Sequence, residues 1–427
     1  MAEWRNWSGS VRATPASFVR PATEAALSAA VAQARHVRVV GAGHSFMPLC
    51  ETTDTLVSLS ALEGALEIDA AANRAWAPAG WSLSHLTAAL WAEGYALINQ
   101  GDVNPQSLAG AVATGTHGTG AGLGSLATAA RAFRLVLADG TVATCSAQER
   151  PELFEAQRVS LGMLGVVTRI QIDVLPAYHL EEVIETLPLD AVEERWETLA
   201  AENRHVEFWV FPYGDVALLK RLNPAPSEGD LKVMKDFEET AFRRMCDLCT
   251  ALPVLTPVLQ RRLVRAGLRT RRVGPSYQIF PSERTVRFEE MEYEVPRAQG
   301  FAALRAVIGL VRRKRLPIAF PFEFRLTAAD DIWLSPFNKG DCASISMHQY
   351  AKMPWRPHFA AAEEVLRAHG GRPHWGKRHT LNAADVRALY PMADRFCAVR
   401  AEVDPAGKFL NAHLGALFGA DALARAA

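Results

Sequence analysis

Residues 35–46 read RHVRVVGAGHSF, and this stretch decides the interpretation of the first part of the chain. The apolar run 37–40 predicts a short strand that leads directly into two glycines one residue apart. Successive main-chain N–H groups in such a turn form a nest for anions such as a pyrophosphate. A Rossmann site would need a third glycine at position 46, which is Phe46, and a helix where a Met-Pro pair follows. The stretch therefore predicts an anion-binding loop outside a Rossmann fold, and the role of His44 stays open.

A second glycine-rich segment covers residues 99–125 and holds seven glycines with few long side chains. So many small residues predict a backbone that is pressed against a flat or highly charged ligand. Its centre, ATGTHGTG (113–120), offers a second nest with the hydroxyls of Thr114 and Thr116. Each loop alone is also compatible with a plain structural turn. Together they predict a site that grips a dinucleotide cofactor from two sides.

The length of 427 residues predicts two domains, and the composition is that of an ordinary soluble globular protein. Lys plus Arg equals Asp plus Glu, at 46 each, so the chain has no overall charge bias toward nucleic acid. The basic stretch 261–272 is interpreted as a solvated helix face rather than a phosphate-binding patch. The CDLC segment 246–249 is interpreted as structural, and no metal is predicted.

Targeting signals are not evident in the sequence. Six cysteines with one close pair do not form a disulfide framework. Neither a secretory signal nor an apolar run of about 18 residues is present, so no membrane-spanning segment is predicted. We expect a cytoplasmic protein in a reducing compartment, and the oligomeric state is left open.

Along the chain, helices and short strands alternate in a mixed pattern that predicts an α+β fold. An Asp-Gly pair at 139–140 predicts a hairpin, and the character of the sequence changes at Pro176. We predict a first domain over 1–176, a second over 177–375 and a C-terminal segment, 376–427, that packs back on the first. In the second domain, helices near 190–202, 231–270 and 296–315 alternate with strands 206–211, 288–295 and 320–326.

Two charged residues, Glu323 and Arg325, stand two apart in the apolar strand FPFEFRL (320–326). Residues i and i+2 of a strand face the same side, so both charges project together. That face is either solvated or the floor of a cavity, and the strand alone favours solvent. Lys377 follows an aromatic residue and a glycine in HWGK, where a surface lysine is the ordinary interpretation.

The chain resembles the vanillyl-alcohol-oxidase (p-cresol methylhydroxylase) type of flavoprotein over nearly its whole length. The resemblance lies in GAGHS (41–45), SLAGAVATGTHGTG (107–120) and LGVVT (164–168), in that order. The elements EMEYEVP (290–296), EFR (323–325), RPHWGK (372–377) and DPAGKFLN (404–411) resemble the sugar-1,4-lactone oxidases and the related alditol oxidases. The fold that this implies is a two-domain FAD-binding fold with an α+β substrate (cap) domain.

The resemblance implies FAD as the cofactor, bound covalently from the His44 ring to the flavin 8α-methyl group. Some relatives add a second link through a cysteine in the later loop, but residues 107–120 contain none, so one bond is expected. His117 has an alternative interpretation as a donor that stabilises its own loop. The residues implied in cofactor binding are Gly41, Ala42, Gly43, His44 and Ser45 near the pyrophosphate, Ser107, Gly115, Thr116, His117 and Gly118 along the flavin, and Val167 near the adenine.

The resemblance also implies a catalytic set of Glu323, Arg325 and Lys377, with His348 as a candidate substrate contact or proton acceptor. The expected reaction is hydride transfer from a carbon that bears a hydroxyl to the flavin. The expected substrate is an aldono-1,4-lactone of the L-gulono, L-galactono or D-arabinono type, with O2 as the acceptor that gives hydrogen peroxide. Three alternatives remain: an alditol such as xylitol or sorbitol as the substrate, a dehydrogenase with another acceptor, and a flavin-binding module without turnover.

Overall fold

The structure is a computed structural model that describes residues 3–226, 237–263, 267, 269–282 and 284–419. Its strands are β1 (Trp4–Arg5), β2 (Arg12–Ala13), β3 (Ser17–Val19), β4 (Val37–Val40), β5 (Thr55–Ser58), β6 (Glu67–Asp69), β7 (Arg74–Pro78), β8 (Tyr95–Leu97), β9 (Ala130–Val136), β10 (Val142–Ser146), β11 (Val166–Pro176), β12 (His179–Pro188), β13 (His205–Val210), β14 (Val216–Ala225), β15 (Arg269–Pro275), β16 (Phe288–Pro296), β17 (Phe322–Thr327), β18 (Cys342–Tyr350) and β19 (Arg372–Pro373).

The helices lie between these strands and at the C-terminal end. They are α1 (Glu24–Gln33), α2 (Leu83–Ala92), α3 (Leu108–Ala113), α4 (Pro151–Gln157), α5 (Leu189–Glu194), α6 (Trp196–Glu202), α7 (Phe237–Ala251), α8 (Thr256–Leu263), α9 (Ser276–Ile279), α10 (Gly300–Lys314), α11 (Arg356–Ala368), α12 (Ala383–Leu389), α13 (Ala393–Val403) and α14 (Ala412–Phe418), with 3-10 turns at Leu126–Ala129, Pro253–Leu255 and Arg297–Gln299. The predicted α+β fold is confirmed. None of the described helices has both the length and the apolarity that crossing a bilayer requires.

The N-terminal part contains a small parallel sheet and a larger antiparallel one. The parallel sheet has the order β3-β5-β4, and Val37 and Val40 of β4 are buried on opposite faces, as the apolar run predicted. The antiparallel sheet has the order β10-β9-β11-β7-β6, with β8 paired to the end of β11. Its β9–β10 hairpin turns at Gly140, whose φ of +87° suits glycine, so the predicted hairpin is confirmed.

The second part is an eight-stranded antiparallel sheet of order β15-β12-β14-β13-β17-β18-β16-β19. Side chains alternate between its two faces, as the pleat requires. On one face Phe208 pairs with Phe324, whose ring stacks at a centroid distance of 5.0 Å, and both belong to an apolar cluster with α10 and α11. The other face carries charged residues. The domain boundaries proposed at residues 176 and 375 stay a prediction.

The single helix predicted over 231–270 is wrong where the structure describes it. The chain forms α7, a 3-10 turn, α8 and then the edge strand β15; residues 231–236, 264–266 and 268 lie outside the described part. Pro253 ends the first helix, because proline cannot donate within a helix. Arg271 and Arg272 lie in the strand rather than on a helix face, where they form ion pairs with Glu181 and Glu182 of β12.

The interior of the N-terminal part is organised around Arg38 of β4. Its guanidinium donates to the carbonyl oxygens of Leu49 (2.7 Å), Leu161 (2.8 Å) and Gly162 (3.0 Å), and also to that of Phe409. Burial lowers the pKa of Arg38 to about 10. One cation thus ties β4 to three segments that are far apart in sequence.

We predict that Arg38→Met lowers the stability of the protein, because buried carbonyls that lose a charged donor cost about 3 kcal/mol or more. The midpoint of urea unfolding, followed by tryptophan fluorescence, measures the loss. The control is Arg12→Met, since Arg12 is exposed and has a weak surface ion pair at 3.8 Å from Glu3. An unchanged midpoint for Arg38→Met would contradict the organising role.

Candidate active site

A cavity of about 370 Å³ opens between the two glycine loops. Nine of the residues that the sequence singled out line it: Gly41, Ala42, Gly43, His44, Ser45, Ser107, Thr114, Val167 and Lys377. The remaining candidates lie outside its lining. The two loops therefore do meet at one site, together with a third segment that carries Lys377.

The three segments touch each other directly. A Cβ atom on Gly41 would lie 2.1 Å from Ser107 Oγ, so only glycine fits where the first loop meets the start of α3. Gly43 has a φ of +70°, which also favours glycine. The N–H of Phe46 donates to the carbonyl oxygen of Gly376 at 2.7 Å. This bond holds the His44 loop beside the Lys377 loop.

The chemistry of the cavity lining suits FAD. None of the cavity-lining residues in the described part of the chain carries a carboxylate, whereas several offer a hydroxyl or a main-chain N–H: Ser45, Ser58, Ser60, Ser82, Ser107 and Thr114 provide hydroxyls. A Cβ atom on Gly80 would lie 2.6 Å from the Leu59 carbonyl oxygen, so this wall is bare backbone. A site with donors and without acidic groups is appropriate for a pyrophosphate.

His44 lines the same cavity and is held by an aromatic contact. Its ring stacks on Trp7 with a centroid distance of 5.3 Å and an interplanar angle of 26°. Burial, followed by the charge of Lys377, lowers the pKa of His44 to about 4. The imidazole is therefore neutral at physiological pH, with a nitrogen lone pair free of a proton.

The later part of the second loop is placed differently. Gly115, Thr116, His117 and Gly118 lie outside the cavity lining, and the His117 side chain contacts Glu292 of β16 and Thr327 of β17. His117 Nε2 lies 3.0 Å from Glu292 Oε1 and 3.5 Å from Glu294 Oε1. Burial lowers the pKa of His117, but Glu294 and Glu292 outweigh it and raise the value to about 9. His117 is thus an imidazolium that anchors its loop, in line with the alternative interpretation.

The strand pair Glu323 and Arg325 is buried, at 2% and 8% exposure, so the solvated-face interpretation is wrong. Arg325 Nε lies 2.8 Å from Glu323 Oε1 and 3.8 Å from Glu207 Oε2 of the neighbouring strand. Burial lowers the pKa of Arg325, but Glu323, Glu292 and Glu207 outweigh it and raise it well above its usual value. Both charges face the inside of the molecule because the apolar side of the strand packs on helices.

The buried, charged face of the sheet that contains Glu323 and Arg325 is called the charged layer below. It also includes residues of neighbouring strands and one loop residue, Asp102. Lys220 Nζ lies 3.0 Å from Glu207 Oε1 and 3.1 Å from Asp102 Oδ1. Burial raises the pKa of Glu207 to about 7 in spite of Lys220. Arg284 forms a further ion pair with Asp102 at 2.7 Å.

Lys377 belongs to both the cavity and the charged layer. Its Nζ forms an ion pair with Glu290 and lies 3.8 Å from Glu292 Oε2. His348 Nε2 lies 3.3 Å from Glu290 Oε1, so Lys377 and His348 share one carboxylate. Burial raises the pKa of Glu290, but Lys377 and His348 outweigh it and lower the value to about 2. The structure therefore brings all four proposed catalytic residues onto one buried face that reaches the cavity at Lys377.

Sequence reasoning missed several members of this layer. They are Asp102, Glu207, Lys220, Glu290, Glu292 and Glu294. The signal was present in EMEYEVP, where three glutamates alternate with apolar residues and must share one face. Asp102 gave no such signal, because it comes from a loop.

The Gly41 contact generates a prediction on cofactor binding. Gly41→Ala should reduce the flavin content severalfold, since the added methyl group collides with Ser107 and displaces the first loop. The ratio of flavin absorbance to protein absorbance measures this. Gly122→Ala is the control, because nothing lies within 4 Å of its Cβ position.

A second change tests the same contact from the other side. Ser107→Gly removes the colliding atoms and should restore flavin to the Gly41→Ala protein, since glycine also serves as a helix N-cap. A Gly41→Ala protein that retains full flavin would show that the loop tolerates the methyl group.

The His117 ion pairs predict how stability depends on pH. His117 binds its proton more tightly in the folded chain, so its stabilisation is fully present below about pH 6.5 and is lost as the pH rises through about 9. Unfolding midpoints across this range should fall for the wild type and fall less for His117→Asn. His205→Asn is the control, because burial lowers the pKa of His205 to about 3, outside the range. Equal slopes in all three proteins would refute the assignment.

Comparison with known proteins identifies the family of this chain. Residues 170–417 match the D-arabinono-1,4-lactone oxidase family, and residues 15–146 match the FAD binding domain. The chain is 38% identical over 426 residues to L-gulono-1,4-lactone dehydrogenase of Mycobacterium tuberculosis, with 97% of this chain and 99% of the relative covered.

The names of two further relatives correspond to the two substrate classes expected from the sequence, alditols and sugar lactones. Alditol oxidase of a Streptomyces species is 32% identical, covering 96% of this chain and 97% of the relative. L-gulonolactone oxidase of Bos taurus is 30% identical, with 97% and 98% covered.

Among solved structures, cholesterol oxidase from B. sterolicum superposes with a TM-score of 0.82 at 16% identity, covering 97% of this chain and 96% of that one. At that identity the likeness concerns the fold alone. The FAD-binding domain match and the carboxylate-free cavity agree on the cofactor. The chain therefore belongs to the D-arabinono-1,4-lactone oxidase family of FAD-dependent oxidoreductases, within the vanillyl-alcohol-oxidase type of flavoproteins.

Proposed function

We propose that this protein oxidises a secondary hydroxyl of an aldono-1,4-lactone of the L-gulono, L-galactono or D-arabinono type to the 2-keto lactone. The observation that carries the proposal is the buried layer of paired charges that meets the FAD cavity at Lys377. Carboxylates and guanidinium groups side by side accept from and donate to neighbouring hydroxyls, which suits a polyhydroxylated substrate.

When bound, FAD supplies the two-electron acceptor that takes a hydride from the carbon bearing the hydroxyl. Glu323 and Arg325 are held 2.8 Å apart, where they would orient the substrate hydroxyls, and Glu323 would accept the hydroxyl proton. Arg325 stays protonated and would stabilise negative charge on the substrate oxygen. Lys377 places a positive charge in the cavity wall, and His348, which shares Glu290 with Lys377, is the proposed substrate contact or proton acceptor.

We propose that a single covalent bond from the His44 ring holds the flavin. A neutral imidazole nitrogen is required for such a bond, and the low pKa of His44 supports it. Cys50 also lines the cavity, but burial raises the pKa of its thiol, and the thiol donates to the Val39 carbonyl oxygen at 3.1 Å. A protonated thiol is a poor nucleophile, which favours one bond over two.

We propose O2 as the electron acceptor, with hydrogen peroxide as its product. The mycobacterial relative named as a dehydrogenase supports the alternative of another acceptor. The relative named as an alditol oxidase supports a polyol as the alternative substrate. We favour the lactone because the family model that covers residues 170–417 is that of a lactone oxidase and includes the whole charged strand EMEYEVP.

A reducing cytoplasm is the proposed location. All six cysteines are free thiols, and four of them are buried in the described structure. Such usage is usual where thiols are kept reduced.

The substrate assay tests the proposed function directly. L-gulono-1,4-lactone, D-arabinono-1,4-lactone and xylitol are each mixed with the purified protein, and flavin bleaching and peroxide are recorded. Bleaching by a lactone with peroxide supports the proposal, and bleaching without peroxide identifies a dehydrogenase. A response to xylitol alone identifies an alditol oxidase. Absence of bleaching with every compound would favour a flavin-binding module.

Replacing Arg325 tests the catalytic set. Arg325→Ala should lower turnover about 100-fold or more with the flavin retained, since it removes a fixed charge from the reacting centre. The control is Arg221→Ala, because Arg221 pairs with Glu185 in the same sheet but away from this layer. Loss of flavin from Arg325→Ala would mean that the residue acts on the cofactor site instead.

The covalent bond has a test of its own. Acid-precipitated wild-type protein should stay yellow and fluoresce on a denaturing gel, whereas His44→Ala should release its flavin to the supernatant. A colourless wild-type pellet would refute the covalent link without affecting the proposed substrate.

A further inference from the structure

The exposed apolar side chains of this protein are concentrated in one place. Among the described residues, six large hydrophobic side chains are exposed, and five of them lie between residues 248 and 263: Leu248, Leu252, Val254, Val258 and Leu263. Val254 is the most exposed of them, at 80%. These five residues are called the apolar tip below. Single exposed apolar residues are ordinary, but a cluster of this kind marks an interaction site.

The helix that carries the first part of the apolar tip packs on the rest of the molecule through its opposite side. Its residues lie at the end of α7, in the turn at Pro253 and on α8. The opposite side of α7 is buried, and Met245, Cys246 and Cys249 pack into a cluster with Phe288. The core contacts of these helices are thus made by other residues, and folding does not require the tip to be apolar.

Among the described side chains near the apolar tip, the charges that lack an ion-pair partner are positive. Arg244, Arg261 and Arg262 are exposed on α7 and α8, and no ion pair joins them to a described carboxylate. The carboxylate on this part of α7, Asp247, is already engaged by Lys352 at 2.8 Å and by the Tyr350 hydroxyl. The surface therefore combines an apolar centre with positive charge that pairs with no carboxylate of the described residues.

We propose that the apolar tip docks this protein onto the surface of a bilayer that contains anionic lipids. Apolar side chains enter the boundary between headgroups and acyl chains, while flanking arginines remain at the anionic headgroups. A second copy of the chain is a poorer occupant, because a two-fold interface would bring the three arginines against their own copies. The proposal is independent of the substrate and of the covalent link.

The docked surface would lie close to the active site. The cluster beneath α7 includes Phe46 and Phe288. The Phe46 ring lies 5.5 Å from Lys377 Nζ, and the Phe288 ring centroid lies 4.8 Å from that of His348. Docking would thus hold the charged layer next to the lipid surface.

Vesicle flotation of the full-length flavoprotein tests the proposal. The vesicles contain either phosphatidylcholine alone or phosphatidylcholine and phosphatidylglycerol in equal amounts. We expect the wild type to float with the mixed vesicles, with at least tenfold weaker binding to phosphatidylcholine alone. High salt should weaken the binding as well, because it screens the arginines.

Two variants and one control make the test specific. Leu252→Asp with Val254→Asp should abolish flotation, and Arg261→Gln with Arg262→Gln should remove the preference for phosphatidylglycerol. Val142→Asp is the matched control, because Val142 is an exposed large hydrophobic residue outside the tip, at 38%, and the variant should float like the wild type. Flavin content and unfolding midpoint verify that each variant is folded.

Three outcomes of these experiments would contradict the membrane-docking proposal. A wild type that floats with neither vesicle refutes the proposal, as does flotation that the aspartate variant retains. Sedimentation that reveals a dimer broken by the aspartate variant, without vesicle binding, would identify a second copy as the occupant instead.

Discussion

One face of the eight-stranded sheet holds charged side chains away from water, and the rest of the structure depends on this constraint. The alternation of each strand sends Phe208 and Phe324 to the helices and Glu207 and Arg325 to the opposite side. A buried charge lowers the stability of the fold unless it is paired. Neighbouring strands must therefore place oppositely charged side chains next to each other. Lys220 of the next strand does this for Glu207 at 3.0 Å.

The same constraint divides the candidate active site into two regions of different chemistry. The cavity between the glycine loops is lined by donors and bare backbone, which suits a negatively charged cofactor. The carboxylates lie on the sheet face, where they pair with cations and, under the proposed function, would contact a neutral, hydroxyl-rich substrate. Lys377 is in both regions, and its ion pair with Glu290 joins them. His117 fixes the second loop to the sheet through Glu292 and Glu294.

Local patterns predicted the parts of the site that depend on short-range geometry. The strand and loop around His44 followed from an apolar run and two glycines, and the shared face of Glu323 and Arg325 followed from strand spacing. The helix face proposed over 261–272 failed at its end because cross-strand pairs, such as Arg272 with Glu182, outweigh local helical spacing. That pairing partner lies 90 residues away, so helical periodicity contained no sign of it.

The sequence by itself determined the family, the α+β fold and the identity of the loops that line the cavity, because motif order, glycine spacing and strand alternation are local properties. The tertiary structure alone decided that Glu323 and Arg325 are buried, since burial depends on what packs against a strand. It also decided that Asp102 completes the Lys220 ion pair and that the apolar side chains of α7 and α8 stay exposed. Burial and ion pairing depend on contacts between residues that are distant along the chain, and a local sequence pattern contains no information about those contacts.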